Sequence, residues 1–393
     1  MNSRRSRVAF PLLAYAFTAI MMGTTLPTPM YALYSAKMHF SVLTTTVVFA
    51  TYAGGVLAAL LVMGRWSDVV GRRPMLLLGA AFALVSAIVF LAADTVELLL
   101  IGRALSGLSA GLYLGTATAA VIEAAPPAWR GRAAAVATIA NIGGLGLGPL
   151  IAGLLVQYAA DPLQVSFILH IALTVLAFAG VWIAPETSER RGRIGFQRLS
   201  VPPEVRSVFV PASTAAFAGF AVTGLFPAVA PSFIADVIGI GNHAVAGALV
   251  CSIFAASAAA QVLAGRIEAQ RAVALGCAVL VVGMVIIAAS LHLSSLALLI
   301  VGAVIAGVGQ GISFSRGLAA IAERTPPDRR AEVSSTYFVI AYVAISLPVV
   351  GEGLAAEAWG LRTAGIVFAF AVSALAVVCL AAILVEERRP ERR

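Results

Sequence analysis

Twelve apolar stretches follow one another along this chain, at roughly 8–33, 41–63, 74–93, 97–120, 133–157, 162–184, 208–234, 243–264, 271–292, 296–320, 331–355 and 361–385. About 20 such residues cross the hydrocarbon of a bilayer. Backbone amides have no water to bond there, so each stretch has to close its hydrogen bonds internally, as a helix. Only 11% of the 393 residues are charged and 61% are hydrophobic, where a soluble domain carries about a quarter charged residues. An all-α integral membrane protein of twelve helices is the expectation. The first stretch is too long for a signal-peptide core and has no cleavage site after it, so it is expected to stay as the first helix.

The net charge of +8 does not describe a nucleic-acid-binding face, because the arginines recur at every second inter-helix segment. Arg4, Arg5 and Arg7 precede the first helix. Arg65, Arg72 and Arg73, then Arg130 and Arg132, follow the second and fourth. Arg190, Arg191, Arg193, Arg198 and Arg206 lie mid-chain, then Arg266 and Arg271, then Arg324, Arg329 and Arg330, with Arg388, Arg389, Arg392 and Arg393 at the end. Basic residues concentrate in cytoplasmic loops. The pattern predicts both termini in the cytoplasm, and the expected location is the plasma membrane, the inner membrane of a bacterium. Cys251, Cys277 and Cys379 lie within apolar stretches and offer neither a disulfide framework nor metal spacing.

The chain also repeats itself. Gly102, Gly107, Gly111, Glu123, Pro126 and Pro127 are matched 200 positions later by Gly302, Gly307, Gly311, Glu323, Pro326 and Pro327. Two copies of one six-helix unit follow, 1–185 and 208–393, joined by a cytoplasmic linker at 186–207 that reads as solvated. Parallel repeats about an axis normal to the membrane are one architecture of secondary transporters. Pro27 and Pro29 in the first helix and Pro227 and Pro231 in the seventh predict equivalent breaks beside a central pathway, or packing kinks.

Between the second and third helices the chain reads Gly64-Arg65-Trp66-Ser67-Asp68-Val69-Val70-Gly71-Arg72-Arg73-Pro74. This is a tight turn with glycines at both ends, a carboxylate, and two guanidiniums ahead of a helix-starting proline. It resembles the loop signature of the major facilitator superfamily, G-x-x-x-D-R-x-G-R-[RK]. Gly64, Asp68, Gly71, Arg72 and Arg73 match, and Val69 stands where the family has a basic residue. The resemblance implies two six-helix bundles related by pseudo-twofold symmetry and a gating latch. In that latch Asp68 faces the start of the eleventh helix, and Arg72 or Arg73 pairs with Glu123. The second-half counterpart, Gly265-Arg266-Ile267-Glu268, is degenerate.

In the fifth helix Gly144, Gly148 and Ala152 form a small-residue stripe suited to close packing. With Pro149 and Gly153 the segment resembles the family's antiporter signature, which implies export in exchange for protons. Charges within the apolar stretches are few. Arg103 resembles the family's fourth-helix arginine, and Arg316 and Glu352 are further candidates for a cavity or for coupling. Asn141, Tyr31, Tyr34 and Gln310 are candidate lining residues. Tyr52, Tyr113, Phe220, Phe226, Tyr337 and Tyr342 share that role with packing as the alternative. Asp236 and His170 complete the titratable groups of interest, His170 reading as a packing residue.

The expected function is alternating-access export of small amphipathic or hydrophobic, drug-like molecules by proton antiport. The partners would be a small-molecule substrate, protons and the bilayer, with no nucleic acid, and the protein a monomer. No cofactor is expected beyond the proton gradient as energy source. No catalytic constellation and no metal site stand out, so an enzyme is not expected. The alternatives are an importer or exporter of a metabolite such as a sugar or amino acid derivative, and a membrane sensor that does not transport.

Overall fold

The computed structural model describes residues 3–190 and 194–387, which contain helices and no strand. Arg191, Arg193, Arg388, Arg389, Arg392 and Arg393 lie outside the described residues. Twelve helices are long and apolar enough to cross a membrane. They are α1 (Val8–Met38), α2 (Val42–Met63), α3 (Arg72–Leu91), α4 (Val96–Ala124), α5 (Pro127–Tyr158) and α6 (Pro162–Ile183), then α7 (Pro203–Val237), α8 (His243–Arg266), α9 (Ala269–Leu293), α10 (Leu296–Arg324), α11 (Pro327–Trp359) and α12 (Leu361–Val385). Every expected stretch is present. Several helices run beyond their apolar core because short polar segments continue the spiral.

The chain divides into two units, Met1–Gln197 with Asn242–Cys251, and Arg198–Gly241 with Ser252–Arg393. Inside each, the repeated glycines sit where helices touch. A Cβ on Gly107 would meet the backbone of Tyr52 and Gly55, and one on Gly111 would lie 2.6 Å from the Ala59 Cβ, so α4 lies directly on α2. In the second unit Gly307 meets Ile253 and Gly311 meets Ser257 and Ala260, which places α10 on α8 in the same way. Gly102 and Gly302 abut Phe90 of α3 and Ile287 of α9 respectively. The repeat extends to the helix starts. The Thr95 hydroxyl accepts from the Leu98 N–H, and Ser295, 200 residues on, accepts from that of Leu298; each satisfies one of the donors a helix start leaves unpaired.

The prolines act differently in the two units. Pro27 and Pro29 interrupt α1: its long helix ends at Thr25, a 3-10 turn spans Thr28–Met30, and a short helix, Tyr31–Met38, follows. In α7 the expected break at Pro227 and Pro231 is absent, since the helix runs unbroken over Arg206–Ser232. All ten residues from Ala221 to Ala230 there are buried, so neighbouring helices hold the backbone that the prolines would otherwise loosen. The irregularity comes later, as a π-turn at Phe233–Val237 containing Asp236.

Much of the described linker is exposed, with Ile194 and Phe196 open to the surroundings, and a few of its residues are tied down. Within the first unit Gln197 donates its N–H to the Leu61 carbonyl at 2.8 Å. Within the second, the Ser200 N–H donates to Thr336 Oγ1 at 3.0 Å and Arg329 donates to Ser200 Oγ at 2.7 Å.

Candidate functional site

The loop between α2 and α3 is built around the positive φ of Gly71, +118°. Glycine tolerates that angle and provides no side chain to cap the following helix. The first N–H groups of α3 therefore need an acceptor from elsewhere, and Glu186, just past the end of α6, supplies it. Its Oε1 accepts from the Arg72 N–H at 2.8 Å and its Oε2 from that of Arg73 at 3.2 Å. A Cβ on Gly71 would strike the same carboxylate. An anion at a helix N-terminus is favoured by the amide dipoles as well as by the two hydrogen bonds. In the sequence Glu186 is simply the first residue of the linker. The signal that could have found it was an uncapped helix start after a glycine.

The Arg72 guanidinium, 14% exposed, gathers the rest of the clamp. It lies 2.7 Å from Asp68 Oδ1 and 3.2 Å from Glu123 Oε1 at the end of α4, and donates to Ser67 Oγ at 2.7 Å. Thr187 Oγ1 donates to the other Glu123 oxygen at 2.6 Å. The α2–α3 loop, the start of α3, the end of α4 and the segment after α6 thus meet around Arg72. Arg73 takes a separate course, its guanidinium 5.2 Å from the centroid of the Trp182 ring. Gly64 ends α2 with its backbone close to Gln197.

Arg103 lies in the interior of the first unit, 1% exposed. The interruption of α1 withdraws backbone donors from the preceding turn, and Arg103 Nη1 donates to the Thr24 carbonyl there at 2.5 Å. The guanidinium carbon sits 4.7 Å from the Tyr52 ring centroid and 5.4 Å from that of Phe49, in cation–π contact with α2. Nε and Nη2 are buried without hydrogen-bond partners, as is the hydroxyl of Tyr31. A desolvated cation with unused donors is available to a ligand or to an alternative pairing.

The small residues of α5 separate into two faces. Gly144 and Gly148 admit the backbone of α1, a Cβ on Gly144 falling 2.7 Å from the Thr18 carbonyl and one on Gly148 striking that of Met22. Gly153 meets the start of α8 at His243 and Gly247. Pro149 cannot donate to the carbonyl of Leu145, and Thr25 Oγ1 does so instead at 2.7 Å. One turn earlier, Ile139–Gly143 forms a π-turn, a deviation frequent at functional positions. It holds Asn141, whose Oδ1 is buried and unpartnered.

Other candidates are used for packing. Tyr34 donates to the Phe90 carbonyl at 3.2 Å, and Tyr337 to that of Phe314 at 3.2 Å. Phe220, Phe314 and Tyr337 form a stacked and edge-on cluster; Phe226 and Tyr342 are buried in the same unit. The Tyr113 ring is wholly buried beside Phe17. Gln310 Oε1 accepts from Ser257 Oγ at 2.5 Å. The imidazole of His170 lies against Gly23, where any larger residue would collide with it. Arg316 is half-buried with Nε unpartnered, and Glu352 is buried in α11. The candidates therefore form a cluster about Arg72, a second about Arg103, and isolated groups in the second unit.

A family model described as Major Facilitator Superfamily matches residues 13–347 and, again, 214–393. The multidrug transporter MdfA of Yersinia pestis (strain Angola) is 30% identical over 201 residues, covering 50% of this chain and 47% of that protein. Multidrug resistance protein 1 of Bacillus subtilis (strain 168) is 30% identical over 196 residues, 49% and 50% of the two chains. The D-xylose-proton symporter-like 2 of Arabidopsis thaliana is 33% identical over 141 residues, 34% and 28% of the two. The matched part thus spans about half the length, or less, of these curated relatives. Among solved structures, the human organic anion transporter MFSD10 (TETRAN) superposes with a TM-score of 0.67 over 98% of this chain and 100% of that one, at 14% identity, a likeness of fold.

Proposed function

Since the chain belongs to the major facilitator superfamily, whose members are membrane transporters and not enzymes, we propose that it exports small amphipathic or hydrophobic molecules by proton antiport, both termini lying in the cytoplasm of a plasma membrane. The observation that carries this reading is Arg103. A buried cation with unused donors in a bundle in lipid marks binding or coupling by default. The names of the two multidrug relatives and the proline-bearing glycine face of α5 favour export over uptake. In this reading the clamp at Arg72 holds the α2–α3 loop, the gating element that the family resemblance implies, in one shape. Monomeric function is part of the proposal.

Proteoliposomes loaded with ethidium and given a pH gradient test it. Ethidium flux should follow the gradient, collapse with a protonophore, and fall at least tenfold in Arg103→Gln. Flux indifferent to the gradient would remove proton exchange from the proposal. The relative named as a D-xylose-proton symporter keeps a metabolite carrier as the second reading, and gradient-driven uptake of xylose without ethidium flux would establish it instead.

A further inference from the structure

Cys277 of α9 and Cys379 of α12 are 0% and 2% exposed, and their thiols lie within hydrogen-bonding reach of each other inside the second unit. Both are free thiols, and Cys379 Sγ donates to the Pro211 carbonyl of α7 at 3.2 Å. Residues 102 positions apart are thus brought together where α9 and α12 pack. The third cysteine, Cys251, is half-buried and belongs to the first unit.

A cavity of about 170 Å³ reaches toward this pair, walled by Ser207 and Pro211 of α7, Ala269 and Val273 of α9, and Ile383 of α12. Val273 stands one helical turn before Cys277, and Ile383 one turn after Cys379, so each shares a face with its cysteine. Pro211 both lines the cavity and accepts the Cys379 hydrogen bond. Ser207 at the rim is exposed, whereas Val273 is buried. The cavity therefore descends from an open rim to a floor one turn short of the thiols.

Two adjacent thiols can grip one atom, because the second bond closes within the same molecule. Burial then selects among thiol-seeking ligands. A soft divalent metal ion binds thiolates, so it would have to shed its hydration and drive two protons out of an apolar site. A trivalent dihydroxyarsine carries no charge. When it condenses with the pair, two As–O bonds break and two As–S bonds form. Each thiol proton leaves with a hydroxide as water, arsenic stays trivalent, and nothing is oxidised or reduced. No charge is created away from solvent. The remaining substituent on arsenic has the cavity to occupy, and a void of about 150 Å³ already accepts benzene.

We propose that Cys277 and Cys379 form a chelating dithiol site for uncharged trivalent arsenicals, entered through the cavity between α7, α9 and α12. The inference goes beyond the transport reading, since such binding requires neither gradient nor flux.

The test uses purified full-length protein in detergent, with phenylarsine oxide as the probe, which water converts to the dihydroxyarsine. Arsenic retained after desalting is measured by elemental analysis. One arsenic per chain should remain through a wash with excess glutathione, a monothiol, and should be removed by 2,3-dimercaptopropanol. Cys277→Ser and Cys379→Ser should each lower retention at least tenfold while circular dichroism and elution volume stay unchanged, and Cys251→Ser should retain arsenic fully. Ser207→Trp, at the exposed rim, should slow loading at least tenfold and leave the final amount unchanged. Cadmium at the same concentration should not load.

Arsenic that glutathione strips from the unsubstituted protein would overturn the assignment without recourse to any variant, because a single sulfur would then be holding it. Full retention in Cys277→Ser or Cys379→Ser, or its loss in Cys251→Ser, would overturn it as well. Stoichiometric cadmium loading would overturn the restriction to uncharged ligands. Ethidium flux plays no part in these measurements, so this conclusion and the export reading fail separately.

Discussion

The junction of α2 with α3 and that of α8 with α9 occupy corresponding places in the two units, yet one is clamped and the other is not. At the first, Glu186 caps two backbone amides while Arg72 joins Asp68 and Glu123. At the second, Glu268 precedes α9 without a side-chain cap, and pairs at 3.2 Å with Arg271 across a solvated surface, the two side chains being 65% and 76% exposed. Where the first unit is filled, the second keeps a cavity of about 170 Å³ lined by Ser207, Pro211, Gln270, Glu323, Arg324 and Ile383. Glu323 is the repeat partner of Glu123 but has no guanidinium in the position of Arg72's. Duplication has preserved the glycine contacts that set helix spacing and let the charged loop diverge. Helix packing and loop charge are therefore separable properties of this fold, and the charged clamp belongs to the first unit.

Substitutions in matched pairs would break or sharpen that contrast. The largest difference is expected for Gly71→Ala against Gly265→Ala, the glycine at the second junction that corresponds in sequence to Gly64, compared by thermal unfolding of the purified protein. Gly71→Ala should cost about 1–3 kcal/mol, the strain of a side chain held at a disallowed φ, and a collision with Glu186 adds to it. Gly265 has open space at its Cβ, so its substitution should be neutral, or stabilising by about 0.4–1 kcal/mol through the unfolded chain. Equal losses at both sites would make the two junctions equivalent after all.

Next in size, Glu186→Gln should lower stability by about 1–2 kcal/mol, because two charge-assisted hydrogen bonds at a helix start weaken together; Glu268→Gln should leave the unfolding midpoint within error. The smallest contrast concerns the arginines. Arg72→Gln removes a partly buried hub whose carboxylate partners are themselves partly exposed and should cost about 1 kcal/mol, whereas the exposed pair of Arg271 is worth less than about 0.5 kcal/mol. Raising salt from 0.05 to 0.5 M should erase the Arg271 effect and spare most of that at Arg72. A clamp that vanished in salt would be a surface ion pair like its counterpart.

Local signals were legible in the amino-acid sequence and distant pairings were not. Apolar length revealed the twelve helices, and the fixed offset of Gly107 and Gly307 marked places where helices meet backbone to backbone. The pairing of Arg72 with Glu123 was reached through family resemblance, since nothing local joins residues 51 positions apart. Glu186 escaped because its partners lie 114 and 113 positions earlier, and because a linker glutamate looks solvated until the uncapped helix is seen. Pro227 and Pro231 misled for a related reason. A proline weakens a helix by a known local amount, but the burial of α7 on all sides depends on the rest of the bundle. The groove beside Glu352 joins Phe217 of α7 to Trp359 of α11 and Phe368 of α12, so one wall lies more than a hundred residues from the other two.

The hydroxyl of Thr25 bonded to the carbonyl that Pro149 leaves free has a mechanical corollary. It fastens the interrupted end of α1 to the weakest point of α5, so two flexible places in the backbone become one shared joint. Replacing Thr25 with valine would keep the shape of the joint and uncouple its two arms.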